Sequence, residues 1–148
     1  VKRIVFVCSG NICRSPMAAA ITNNKLKSRQ EPAAIISCGT LNIMHRPAAK
    51  EAIQAMAEHD IDIESHRSQG VSVGLLRMAD FVVVMAPKHE RFILESAPEL
   101  APKIVRIWEY AQAPLDEIAD PVNQDLPAFR ACRDLLEESI DSWLNSII

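Results

Sequence analysis

The sequence predicts an α/β protein: one three-layer domain across residues 1–148, with a four-stranded parallel sheet in the order 2-1-3-4 and helices on both faces. Three observations carry this. Four short apolar runs, Lys2 to Val7, Ala33 to Cys38, Asp80 to Met85 and Lys103 to Trp108, lack the polar alternation of a strand with one wet face. Such near-continuous runs belong to strands buried on both sides. Helical patterns separate them, and alternating strands and helices imply right-handed crossovers and a parallel sheet. The first run also ends in a loop that opens onto a helix, as at the carboxyl edge of a central strand, where winding reverses and ligands bind.

Lys2 to Val7 is thus the first strand. Residues 8–15 form the loop; Pro16 suits the first helical turn because its missing N–H has no intrahelical partner there, and Ser15 reads as the N-cap. From Pro16 to Arg29, Met17, Ala20, Ile21 and Leu26 recur at helical spacing, with Lys25, Lys27 and Arg29 toward the end that the helix dipole makes negative. Glu31-Pro32 stops this helix. Ala33 to Cys38 is the second strand, halted at Gly39, and Leu41 to Pro47 is a loop. Ala49, Ala52, Ile53, Met56 and Ala57 form a helical stripe between Pro47 and His59. An irregular connection follows over 61–67, then a short helix from Val71 to Met78. Asp80 to Met85 is the third strand, backed by a helix from Pro87 to Ser96. Pro98 and Pro102 mark a loop before the fourth strand, and the prolines and aspartates of 109–126 mark another. Phe129, Cys132, Leu135, Leu136, Ile140, Trp143, Leu144 and Ile147 make Pro127 to Ile148 an amphipathic helix docked on the sheet.

Composition excludes several classes. Hydrophobic residues at 49% and charged ones at 24% are those of a soluble globular protein. No apolar run approaches the ~20 residues of a membrane span, and Val1-Lys2-Arg3 leading straight into a strand does not read as a signal peptide. The expected location is cytoplasmic, away from membranes. A net charge of −3 without a basic stripe argues against nucleic acid as a partner. Cys8, Cys13, Cys38 and Cys132 form no Cys-x-x-Cys pair and no zinc spacing. They read as thiols of a reducing compartment, Cys38 and Cys132 as small buried hydrophobes. His45, His59 and His89 lack partners at ligand spacing and read as surface residues, and Trp108 and Trp143 as packing residues.

The chemistry lies in Cys8-Ser9-Gly10-Asn11-Ile12-Cys13-Arg14-Ser15. A cysteine and an arginine five residues apart, with a glycine between, can close into a loop whose N–H groups converge on one point, and such a nest binds an anion. Free thiols titrate near ~8.5, while helix N-termini and adjacent cations bring them to roughly 3.5–7.5. A thiolate at the floor and Arg14 at the rim can attack phosphorus while the guanidinium holds two phosphoryl oxygens in a bidentate way that lysine would not match.

The run Val7 through Ala18, Val-Cys-Ser-Gly-Asn-Ile-Cys-Arg-Ser-Pro-Met-Ala, resembles the signature of the low-molecular-weight protein tyrosine phosphatases. The likeness extends over nearly the whole chain, through Ser37-Cys38-Gly39-Thr40, Ser65-His66-Arg67-Ser68, Ala79-Asp80-Phe81 to Met85, and Asp120-Pro121. It implies a phosphomonoesterase acting on protein phosphotyrosine or small aryl phosphates, without metal or cofactor, and inhibited by inorganic phosphate and other oxyanions. Cys8 would form a phosphocysteine, with Asp120 as general acid and then base; a positioned acid contributes typically ~10²–10⁴-fold. Ser9, Gly10, Asn11, Ile12 and Cys13 would complete the phosphate loop. Asn11, Ser15, Ser37 and His66 would hold it open and stabilise the thiolate, and Ser15 would also donate to the departing sulfur. Cys13 matches the family's second loop cysteine, which can bridge to the nucleophile under oxidants.

Departures from the family pattern bear on the substrate. Family members usually wall the phosphotyrosine slot with aromatic or bulky residues where this chain has Leu41-Asn42 and Val122-Asn123, and an absent aromatic pair forgoes roughly 0.5–1.5 kcal/mol of stacking. Ala86 stands where many members carry an aspartate that supports the arginine. Asp116 and Asp125 are secondary candidates for the acid, and Tyr110 either lines the site or caps the core. Three other readings share this loop. One is a protein arginine phosphatase, whose members resemble a threonine where this chain has Ile12. Another is a thiol-dependent arsenate reductase, though residues 80–100 hold no relay cysteine. The third is a catalytically weak phosphate-binding module.

Overall fold

A computed structural model describes all 148 residues. Its sheet has four parallel strands in the order β2-β1-β3-β4: β1 (Lys2–Cys8), β2 (Ala33–Gly39), β3 (Phe81–Val84) and β4 (Ile104–Arg106). Lys2 pairs with Ala33 and Cys8 with Gly39, while Ile4 to Val7 pair with Phe81 to Val84 on the other side. β1 is therefore central, and Ile4, Phe6 and Val7 have no exposed surface. The expected class and strand order are those observed.

The crossover from β1 to β2 runs one way across the sheet and those from β2 to β3 and β3 to β4 run the other, so right-handed connections place helices on both faces. α1 (Arg14–Ser28) returns the chain to β2; α2 (Lys50–Ala57) and α3 (Val73–Met78) lead to β3; α4 (Pro87–Ser96) leads to β4. α5 (Leu126–Ile147) packs against α1 and α2. Trp143 fixes it to the sheet, edge-to-face with Phe6 at 6.5 Å and Phe81 at 5.5 Å between ring centroids, and aromatic pairs of this geometry add about 0.5–1.5 kcal/mol beyond burial. No helix is long and apolar enough to cross a membrane.

Several boundaries differ from the sequence reading. α1 begins at Arg14, with Cys13 as its N-cap, so Ser15 is inside the first turn and its hydroxyl is free for other work. α2 starts at Lys50 rather than Pro47, because the Ala49 N–H donates to the Ile12 carbonyl at 2.8 Å and ties the segment to the phosphate loop. Pro98–Lys103 is a 3-10 helix rather than a loop, and the chain curls into a second 3-10 turn over Ile107–Tyr110, shortening β4 and burying Trp108. His89 is buried, not on the surface. Asp125 caps α5 by accepting from the Ala128 N–H, which occupies it away from the cleft.

Candidate active site

The loop between β1 and α1 is shaped by Asn11, whose φ of 59° lies in the left-handed region; no glycine of the chain has positive φ. Asn and Asp adopt that region more readily than other side-chain-bearing residues. Gly10 instead leaves room, since a Cβ there would meet Ile12 at 3.5 Å and Ile43 at 3.6 Å. The N–H groups of Gly10, Ile12 and Cys13 donate to no protein acceptor. Together with the uncapped start of α1, they form the anion nest.

Asn11 is held on every side. Its Nδ2 donates to Ser15 Oγ at 2.7 Å and Ser37 Oγ at 2.9 Å, its Oδ1 accepts from the Gln69 N–H at 3.0 Å, and its carbonyl accepts from His66 Nε2 at 2.7 Å. Burial holds His66 below its ordinary pKa, and the carbonyl it faces can only accept, so the neutral ring carries its hydrogen on Nε2. Because Ser15 Oγ accepts from Asn11, its own hydrogen goes to Cys8 Sγ at 2.9 Å in preference to the Cys38 carbonyl at 3.5 Å. The Asn11 N–H also donates to Cys8 Sγ, at 3.3 Å. Two directed donors on one buried sulfur stabilise negative charge there, and a chain of aligned hydrogen bonds strengthens each member. Burial and the Asp120 carboxylate push the Cys13 thiol up to about 12, and burial does the same to Cys38. All four cysteines are free thiols.

Arg14 is 2% exposed and spans the other wall. Its Nη1 donates to the Ile118 carbonyl at 2.9 Å, and its Nη2 donates to Ser9 Oγ at 3.3 Å and Asp120 Oδ2 at 3.2 Å. Its Nε is buried without a protein partner, in keeping with Ala86 offering no carboxylate. Asp120 is aimed by its own turn: Oδ1 accepts from the Val122 N–H at 3.1 Å, and its carbonyl accepts from Gln124 Nε2 at 3.1 Å.

These groups enclose a cleft of about 110 Å³ lined by Cys8, Ser9, Gly10, Ile12, Cys13 and Arg14, with Leu41, Ile43, Asp120 and Val122 at the mouth. Leu41 is 64% and Val122 40% exposed. Ser37 and His66 lie behind the loop, on a wider groove of about 430 Å³ between α1, β2 and residues 62–69. Cys8, Arg14 and Asp120 do not line that groove, so the chemistry belongs to the smaller cleft. Asp116 does not line it, and Tyr110 packs against the core. Sequence reasoning missed Gln69, Ile118, Ile43 and His89.

A family model described as low molecular weight phosphotyrosine protein phosphatase matches residues 3–148. The chain belongs to this family. It is 34% identical over 147 residues to the probable low molecular weight protein-tyrosine-phosphatase EpsP of Ralstonia nicotianae, covering 99% of this chain and 97% of that protein. A protein-arginine-phosphatase of Geobacillus stearothermophilus is 35% identical over 139 residues, 94% of this chain and 91% of the relative. The crystal structure of a low molecular weight protein tyrosine phosphatase from T. tengcongensis superposes with a TM-score of 0.92 at 33% identity, covering 99% of both chains. Nearly equal identities to tyrosine- and arginine-directed relatives mean that overall similarity to low molecular weight phosphatases does not separate the two substrates. The cleft must.

Proposed function

We propose that this phosphatase hydrolyses phosphotyrosine in proteins through a phosphocysteine on Cys8. The observation that carries the proposal is the placement of Cys8 Sγ beneath an N–H nest, with Arg14 and Asp120 paired across the same cleft. The thiolate attacks phosphorus; the sulfur–phosphorus bond forms as the bond to the tyrosyl oxygen breaks, and Asp120 gives that oxygen its proton. Arg14 supports the equatorial oxygens, and its unpartnered Nε–H is a donor available to one of them. In the second step Asp120 takes a proton from water, the water oxygen attacks phosphorus, and the thiolate leaves, accepting a hydrogen bond from Ser15.

The mouth favours an aryl ester. Ile12, Leu41, Ile43 and Val122 give a planar ring apolar surface to lie against, whereas the guanidinium of phosphoarginine requires acceptors, and Asp120 is the only carboxylate lining the cleft. A single half-buried carboxylate already paired with Arg14 has little left to offer a second guanidinium. Product phosphate and other oxyanions occupy the same nest and inhibit. A reducing cytoplasm keeps Cys8 and Cys13 as thiols, and under oxidants the two are candidates to bridge.

The test compares kcat/KM on matched phosphotyrosine and phosphoarginine peptides, with acid quench and mass analysis for phosphorylated Cys8. Preference for phosphoarginine would overturn the substrate, and turnover by Cys8→Ser would overturn the mechanism.

A further inference from the structure

His89 is fully buried in the first turn of α4, and its Nε2 lies 3.0 Å from Ser9 Oγ. The same oxygen accepts from Arg14 Nη2. The ring's Nδ1 is buried without a partner, and a bare lone pair there costs less than an orphaned N–H. The hydrogen is therefore assigned to Nε2. On that assignment Ser9 Oγ accepts from both the ring and the guanidinium, and its single O–H remains for the cleft that Ser9 lines. Burial, reinforced by the charges of Arg14 and Lys88, pushes the ring's pKa down to about 3. It stays neutral wherever the enzyme works.

Arg14 needs such a brace. Ile118 holds only Nη1, and Asp120 must turn from Nη2 to the leaving oxygen during the reaction. Ser9 Oγ is then the remaining side-chain acceptor on Nη2, and Ala86, buried just before α4, provides none. We infer that His89 is a positioning residue for Arg14, acting through Ser9 and taking the part that a carboxylate at position 86 would otherwise play. This rests on the phosphatase reading above, because the brace matters only if Arg14 serves phosphoryl transfer.

The test measures binding of vanadate and of inorganic phosphate by calorimetry, and kcat and KM on a phosphotyrosine peptide, for the parent, His89→Leu, His89→Gln, Ser9→Ala and the Ser9→Ala/His89→Leu double variant. Hydrogen bonds to charged groups contribute about 1.5–3 kcal/mol, so His89→Leu should weaken vanadate, the five-coordinate oxyanion, by about ten-fold or more. Its kcat should fall in step, while phosphate affinity and KM change by less than about threefold. His89→Gln, which keeps a donor near the Nε2 position, restores vanadate binding to within about threefold of the parent. The double variant is no worse than Ser9→Ala, since coupled residues are not additive. Ser9→Ala leaves the α4 packing intact and carries the same vanadate loss even if His89→Leu folds poorly. Parent-like vanadate binding in folded His89→Leu, or losses that multiply in the double variant, would overturn the brace. A parent that binds vanadate but turns over no phosphotyrosine peptide would overturn the phosphatase reading alone.

Discussion

Gly39 ends β2 directly against the phosphate loop, and Gly39→Ala tests whether the position of that loop governs the reaction. A Cβ there would lie 2.5 Å from the Ser9 carbonyl oxygen, 2.9 Å from the Asn11 nitrogen and 3.0 Å from the Gly10 carbonyl carbon. All three are backbone atoms, so no side-chain rotation relieves the clash. Ordinary contact begins at 3.4 Å, which puts the tightest contact roughly an ångström short. The Thr40 and Leu41 N–H groups donate to the Cys8 and Ser9 carbonyls, both at 2.9 Å, so strand end and loop shift together and Cys8 moves with them. A displacement of about 1 Å costs about 10²-fold in rate, and overpacking costs about 1–3 kcal/mol of stability. The assay is kcat/KM on an aryl phosphate alongside a thermal melt. Gly74→Ala is the control, because its Cβ meets only Ser72 Oγ, at 3.6 Å. Folded Gly39→Ala with kcat/KM within about threefold of the parent would refute the reasoning.

Asp120→Asn should lower kcat on phosphotyrosine by about 10²–10⁴-fold, and much less on a dinitrophenyl phosphate, whose leaving group needs no proton; equal losses on both would remove the acid role. Val122→Tyr, at the exposed mouth, should lower KM for phosphotyrosine peptides by roughly 2- to 12-fold through about 0.5–1.5 kcal/mol of ring contact, read from steady-state kinetics. Hydrogen bonds from Arg130 and Arg133 pull the Glu58 carboxyl down to about 2 from 4.5, tying the C-terminal end of α2 to α5. A depressed carboxylate contributes stability above its unfolded pKa and loses it as pH falls through the folded one. Glu58→Gln should therefore melt below the parent at pH 7, with the difference closing as pH falls from about 4.5 to about 2.

The strands were legible because the two inner runs, β1 and β3, are continuous, β-branched and buried along most of their length, a pattern that few other environments produce. β4 was overestimated for a physical reason. Ile107 and Trp108 are as apolar as a strand requires, but they are buried by curling into a turn rather than by continuing the ladder. Cys8 and Arg14 were legible because their spacing follows from the chemistry, and Asp120 through the family resemblance at Asp120-Pro121; the structure brings all three around one cleft. Gln69 and Ile118 were not, since one contributes through its backbone N–H and amide and the other through its carbonyl. Backbone groups carry no sequence signature. The loop's left-handed turn falls on Asn11 rather than Gly10, because a side chain that satisfies three hydrogen-bonding partners at once can stabilise a conformation that glycine would adopt only at the expense of entropy.

His89 is a different kind of omission, because its burial did have a signal. On α4 it lies four residues before Ile93 and eight before Ala97, and all three are buried, the recurrence that marks the inward face of a helix. A histidine on an inward face must find a partner or leave a buried polar group unsatisfied. Its spacing along α4 points it back toward the carboxyl edge of the sheet, where Ser9 follows the nucleophile. Two features then belong together: the hydroxyl at position 9 beside Cys8 and the alanine at position 86 before α4. A serine hydroxyl alone is a weak and mobile acceptor for a guanidinium, and an alanine alone removes one. With a neutral imidazole fixing the hydroxyl, the same arginine is held without adding a carboxylate beside the thiolate and the phosphoryl group. Fewer negative charges around the incoming dianion reduce repulsion in a site where the low local dielectric magnifies every charge.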